Sequence, residues 1–320
     1  MKKKSIIFGA ISTAAAIGGV SVFRYFSDMA VARKQPKIPY PVQFFIDRSQ
    51  DDDLFDPVVE ALQEDIREIP YEKLDLVSGD GLLLRGRLYT PEKPKRVIVF
   101  MHGWRSSWKK DFSVHVMPLL AMGCALFFAD QRSHGESEGE YITYGVREKE
   151  DCVLWANRLA DLFPDLPMYL WGMSMGATTV MLASGERGLP PQLRGIIADC
   201  GFTNPQEQLE HLMKRKITIA TKPVSTLYRY YFMHRCHFDL DDFRTDEVLK
   251  KVKYPILFYH GGDDRFVPTE NTFRNYLAAA GEKEMVIIDD AVHCKSFHID
   301  SELCLAKAES FFEKYDREYQ

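Results

Sequence analysis

Short, almost wholly apolar runs recur along the chain: RVIVFMHG, CALFFAD, PMYLWG, GIIADCG, PILFYHG and MVIIDD. Each closes on Gly or Asp, the pattern of strands buried on both faces. Ahead of them, LDLVSGDGLLLRGRLYTP reads as two strands joined at Gly79-Asp80-Gly81, residues that tolerate a tight turn. Between the runs lie longer stretches with apolar residues near helical spacing, such as REKEDCVLWANRLADL from Arg147 to Leu162. Strands alternating with helices predict an α/β fold: a mostly parallel central sheet flanked by helices. Residues 202–244 break this rhythm with aromatic and basic residues and no buried strand, which predicts a helical cap inserted over the C-terminal edge of the sheet.

The first 34 residues form a separate object. Lys2, Lys3 and Lys4 precede an uncharged stretch from Ile6 to Phe23, about 18 residues, which as a helix would cover about 27 Å. This predicts a single-pass membrane anchor. The alternative is a signal peptide cleaved near Ala30-Val31-Ala32, giving a secreted protein. The anchor is preferred because Arg24 and Asp28 separate that site from the apolar run, which is also longer than a usual signal core. Lysines before the run are nearly balanced by Arg24, Arg33, Lys34 and Lys37 after it. The side of the membrane therefore stays open, with the catalytic domain leaning extracytoplasmic. Residues 35–70 then supply a proline-rich spacer, QPKIPYP, and an acidic lead-in helix, and the globular domain is expected over 71–320.

Composition narrows the classes. With 46% hydrophobic and 27% charged residues in 320, the chain has ample material for a core. A net charge of −5 argues against nucleic acid as a partner. The six cysteines, Cys124, Cys152, Cys200, Cys236, Cys294 and Cys304, contain no C-x-x-C pair, so no metal site and no disulfide framework is expected. Their number counts slightly against an oxidising exterior. Cys124 and Cys200 sit in or beside apolar runs and read as small core hydrophobes.

The sharpest chemical signal is Gly172-Met173-Ser174-Met175-Gly176, directly after PMYLW and directly before the helix-like ATTVMLA. G-x-S-x-G between strand and helix is the setting of a nucleophile elbow, which projects a serine above the sheet edge at the start of a helix. Further stretches stand out: Met101-His102-Gly103-Trp104, DQRSHGES from Asp130, HGGDDRFVP from His260, and Ala291-Val292-His293.

Together these motifs resemble a serine hydrolase of the α/β-hydrolase superfamily, most similar to the serine aminopeptidase-like (S33-type) and monoacylglycerol-lipase-like branch. The resemblance runs from about Tyr71 to the C-terminus, and the order nucleophile, acid, histidine fits it. Ser174 needs a base, and His293, in the loop after the last strand-like run, is the candidate; His298 is its nearest competitor. The resemblance to H-G-x-x-D-x-x-V-P aligns the orienting acid with Asp264 rather than the adjacent Asp263. Oxyanion donors are expected from the backbone N–H of Met175 and, by the family pattern, of Trp104. His102, His134 and Arg132 read as polar residues holding loops. Arg105, Trp104, Trp108 and Phe112 are candidates to line a substrate pocket, or alternatively belong to the core.

The expected activity is cleavage of a carboxylic ester, or an amide, through an acyl-serine, acting on a small-molecule acyl substrate with no metal or organic cofactor. An acyltransferase or a serine aminopeptidase would use the same residues, and a catalytically silent hydrolase-fold binding module is the rival of another class. Substrate identity and oligomeric state are not legible.

Overall fold

A computed structural model describes residues 27–28, 30–34, 50–216 and 221–317. Eight strands form one sheet: β1 (Glu72–Val77), β2 (Leu83–Tyr89), β3 (Arg96–Met101), β4 (Cys124–Asp130), β5 (Met168–Met173), β6 (Leu193–Asp199), β7 (Ile256–Gly261) and β8 (Lys283–Ile288). Their spatial order is β1-β2-β4-β3-β5-β6-β7-β8. The first two are the expected hairpin, antiparallel to each other; β2 also pairs antiparallel with β4, and every later pairing is parallel. This is the α/β-hydrolase fold.

The six apolar runs are the six parallel strands. β3 to β5 and β7 are buried along their whole length because helices cover both faces. β8 departs from the expected burial: as the edge strand it is only partly covered, and just Val286 and Ile288 are buried.

Each face carries its own core. One lies under α3 (Glu148–Leu162) and α4 (Met175–Ala183), where Trp155, Leu159, Val180 and Met181 pack on Val97, Val99, Phe127 and Leu170. The other lies under α2 (Trp108–Ala121) and the terminal helix α10 (Ser301–Asp316), with Phe112, Val116, Phe311 and Phe312 on Ile98, Phe100, Tyr169 and Trp171. The lead-in helix α1 spans Gln50–Asp65.

The stretch that broke the rhythm is helical. α5 (Pro205–Lys216) and α6 (Thr221–Cys236) are followed by a 3₁₀ turn at Leu240–Asp242. Met213, Tyr228, Phe232, Phe238 and Leu240 bury against one another and against Val31 and Val146, forming a separate cluster beyond the C-terminal ends of the strands. Three short or medium helices complete the chain: α7 (Thr245–Leu249), α8 (Glu270–Ala278) and α9 (Ser296–Ile299).

The boundary expected at residue 34 is not where contacts with the globular part begin. Val31 is fully buried and its carbonyl accepts from the Ile142 N–H at 2.7 Å, while the Arg33 N–H donates to the Glu140 carbonyl at 2.8 Å. A short piece of backbone pairing, the burial of Val31 and the Arg33 guanidinium on the Gly135 and Ser137 carbonyls decided this. The apolar run of the expected anchor and the proline-rich spacer lie outside the described residues. Among the described residues, no helix is long and apolar enough to cross a membrane.

Candidate active site

Ser174 sits between β5 and α4 with φ 53° and ψ −115°, in the left-handed region that costs a side-chain-bearing residue energy. Two close approaches enforce this turn. A Cβ on Gly172 would lie 2.1 Å from the Gly176 carbonyl oxygen, and one on Gly176 would lie 1.8 Å from the carbonyl oxygen of Met101. Only glycine fits at either position, which is the physical content of the G-x-S-x-G motif. The turn leaves Ser174 at the start of α4, whose first N–H groups face the same space.

The loops after β7 and β8 bring the other two residues to it. His293 Nε2 lies 2.9 Å from Ser174 Oγ, and His293 Nδ1 lies 2.6 Å from Asp264 Oδ2. Asp264 Oδ1 accepts the backbone N–H groups of Phe266 and Val267, each at 2.9 Å, and His260 Nε2 stands 3.1 Å from Oδ2. The carboxylate is thereby held in one orientation in a buried site. Asp263 is exposed, and His298 lies on α9.

Electrostatics follow from this packing. Burial alone would favour neutral Asp264, but the His293 charge and the hydrogen bonds from His260 and His293 outweigh it and hold the carboxyl well below its ordinary range. Burial likewise opposes protonation of His293, and the adjacent Asp264 charge more than reverses this, raising the imidazole well above an ordinary histidine.

The loop after β3 is fastened from several sides. The Gly103 N–H donates to Asp111 Oδ2 at 2.6 Å, and the Arg105 N–H donates to His134 Nε2 at 3.1 Å. His102 Nε2 accepts from the Gln131 N–H at 3.2 Å, and Arg132 makes ion pairs with Asp80 and Asp151. The three polar residues of these motifs therefore hold loops together. The N-terminal segment straps the same region: the Ala30 carbonyl accepts from Trp104 Nε1 and Tyr144 OH, each at 2.9 Å, and the Ala32 carbonyl accepts from Arg105 at 2.7 Å.

Trp108 and Phe112 do not line a pocket. Both lie on the inward face of α2, where Trp108 stacks on Phe128 and Phe112 packs on Phe100; helical spacing turned that face to the sheet. The Arg105 guanidinium is spent on the N-terminal strap and over the Trp104 ring. The apolar cluster that includes Met175, the neighbour of Ser174, is made of Ile142, Met175, Phe202 and Val267, with the candidate Trp104 and also Tyr144 and Phe266 against them. The Phe266 ring is 4.9 Å from His293. Its place two residues after Asp264 was the available signal; Tyr144 and Phe202 carried none. Among the described residues, one group of side chains could hold a metal ion, namely Cys200, His293 and Cys294.

The eight-stranded sheet with a strained serine elbow after its fifth strand defines a class of fold, and this chain has the α/β-hydrolase fold. The family model described as serine aminopeptidase, S33, matches residues 92–239. YqkD of Bacillus subtilis strain 168, described as an uncharacterized protein, is 24% identical over 305 residues, covering 93% of this chain and 92% of its own. The lysophosphatidylserine lipase ABHD12 of Danio rerio is 27% identical over 199 residues, 59% of this chain; this chain spans about half of that relative, 48%. Among solved structures, the Pyrococcus furiosus esterase Pf2001 superimposes with a TM-score of 0.63 at 21% identity, covering 79% of this chain and 93% of the esterase. An acylaminoacyl peptidase from Pyrococcus horikoshii shares the fold with a TM-score of 0.58 at 16% identity, over 80% of this chain and 43% of its own.

Proposed function

We propose that the protein is a serine hydrolase that cleaves carboxylic esters through an acyl-Ser174 intermediate. The observation that carries this reading is the unbroken relay from Ser174 Oγ through His293 to Asp264, at 2.9 and 2.6 Å. His293 takes the Ser174 proton as the hydroxyl attacks the ester carbonyl, then gives it to the departing alcohol; water repeats the sequence to release the acid. Asp264 keeps the proton of the neutral imidazole on Nδ1 and stabilises the imidazolium. The backbone N–H groups of Met175 and Trp104 hold the oxyanion.

An apolar acyl chain suits the surroundings of Ser174, where Trp104, Tyr144, Phe202 and Phe266 gather. The cap formed by α5 and α6 acts as a lid on this chain: Gln208 donates to the Phe266 carbonyl at 2.6 Å, and His211 contacts the Arg265 carbonyl. The lipase and esterase names among the relatives support a lipid-like ester, and the run from Ile6 to Phe23 supports delivery to a membrane by an uncleaved anchor. The family model's description and the acylaminoacyl peptidase likeness favour a second reading, hydrolysis of aminoacyl amides by the same residues.

Labelling by a fluorophosphonate probe tests the nucleophile, since only an activated serine reacts and a silent binding module does not. A panel of p-nitrophenyl esters of increasing chain length, run beside aminoacyl amides and with Ser174→Ala as control, separates the two readings. Turnover that survives Ser174→Ala overturns the proposal. Resistance of the full chain to alkaline carbonate extraction tests the anchor, and release into the supernatant refutes it.

A further inference from the structure

We propose that Cys200, Cys294 and His293 form a binding site for a soft divalent cation of the zinc type, and that its occupation shuts off the hydrolase. The two sulfurs stand 3.5 Å apart, and the Cys200, Cys294 and His293 donor atoms all lie within 4.8 Å of one another. Two thiolates bound at about 2.3 Å to one tetrahedral ion sit about 3.8 Å apart, so the sulfur pair already has nearly the required spacing. A disulfide needs about 2.05 Å, a much larger displacement. Both cysteines are also set in unusual backbone, with φ +48° at Cys200 and +61° at Cys294, which turns the residues following β6 and His293 toward each other.

A second feature points to a cation. Asp199, next to Cys200, is fully buried, and neither carboxylate oxygen has a hydrogen-bond partner. Such a group is costly without compensation, and a dication bound nearby would balance its charge. Binding replaces the two thiol protons, which leave to solvent as two metal–sulfur bonds form, with no change of oxidation state. Cys294 and His293 are both partly exposed, which gives the ion a way in.

His293 Nε2 faces Ser174 and Nδ1 faces Asp264, so binding through either nitrogen breaks the relay. The site itself stands on the donor geometry; the loss of turnover rests on the proposed role of His293. Both are tested on the chelator-treated full chain in detergent. Cobalt(II) should bind once per chain and give a near-ultraviolet thiolate-to-cobalt band, and zinc chloride should abolish p-nitrophenyl ester turnover, reversed by EDTA. Cys200→Ala and Cys294→Ser should each keep basal turnover and weaken zinc inhibition by about 10- to 100-fold, while Cys236→Ser changes nothing. Absence of the cobalt band overturns the site, as does zinc inhibition that both variants leave intact. Recovery with dithiothreitol but not with EDTA also overturns it, in favour of thiol oxidation. A cobalt band without loss of turnover leaves the site standing and refutes the role given to His293.

Discussion

Replacing Asp264 by Asn tests the relay with the least disturbance of shape. Oδ1 of Asp264 accepts two backbone N–H groups at 2.9 Å, and an asparagine carbonyl can keep both. Its NH₂ group then points where Oδ2 was, toward His293 Nδ1 and His260 Nε2. Facing a donor, Nδ1 must become an acceptor, so the ring proton moves to Nε2 and the nitrogen 2.9 Å from Ser174 Oγ can no longer take a proton. By analogy with the serine-protease triad, the loss should be on the order of 10³- to 10⁴-fold in kcat, or about 4–5.5 kcal/mol of transition-state stabilisation. Asp263 is exposed and makes none of the relay's contacts, so Asp263→Asn should stay within about 3-fold of the parent, as expected of a surface change. Stopped assays with one soluble ester, after matching circular dichroism and urea midpoints, measure both. A loss below about tenfold for Asp264→Asn, or a more severe Asp263→Asn, refutes the assignment.

The same charge sets the pH dependence: only neutral His293 can accept the serine proton, and its raised pKa places the acidic limb of kcat/KM above the ordinary histidine value of about 6.5. A limb at or below that value contradicts the Asp264–His293 coupling. Gly176→Ala forces a Cβ to within 1.8 Å of the Met101 carbonyl oxygen and should cost about 3 kcal/mol or more by urea unfolding, whereas Gly79→Ala, with nothing within 4 Å, should leave the midpoint unchanged. A chain beginning at Gln35 should melt below one beginning at Ser27, because it loses buried Val31, worth about 1.5–3 kcal/mol, and the bonds to Trp104, Tyr144 and Arg105; equal melting of the two would show that the strap is dispensable.

Much of this molecule is local in its causes and was therefore legible along the chain. Strands buried on both faces must be continuously apolar, which exposed β3 to β7, and an elbow that admits no Cβ must spell its glycines, which marked Ser174. Asp264 and His293 followed from motif order, because loops at the ends of parallel strands converge on one edge of the sheet. The rest depended on contacts between distant segments. Trp108 and Phe112 read equally well as pocket or core until α2 turned them onto the sheet. The strap from Ala30 to Arg33 is held by backbone carbonyls and N–H groups, by buried Val31 and by the Arg33 guanidinium on the Gly135 and Ser137 carbonyls, partners about a hundred residues away that the local sequence does not announce. Cys200 and Cys294 are 94 residues apart and looked like unrelated thiols. Only the shared edge of β6 and β8, with the left-handed turn at each cysteine, brings their sulfurs to 3.5 Å beside His293.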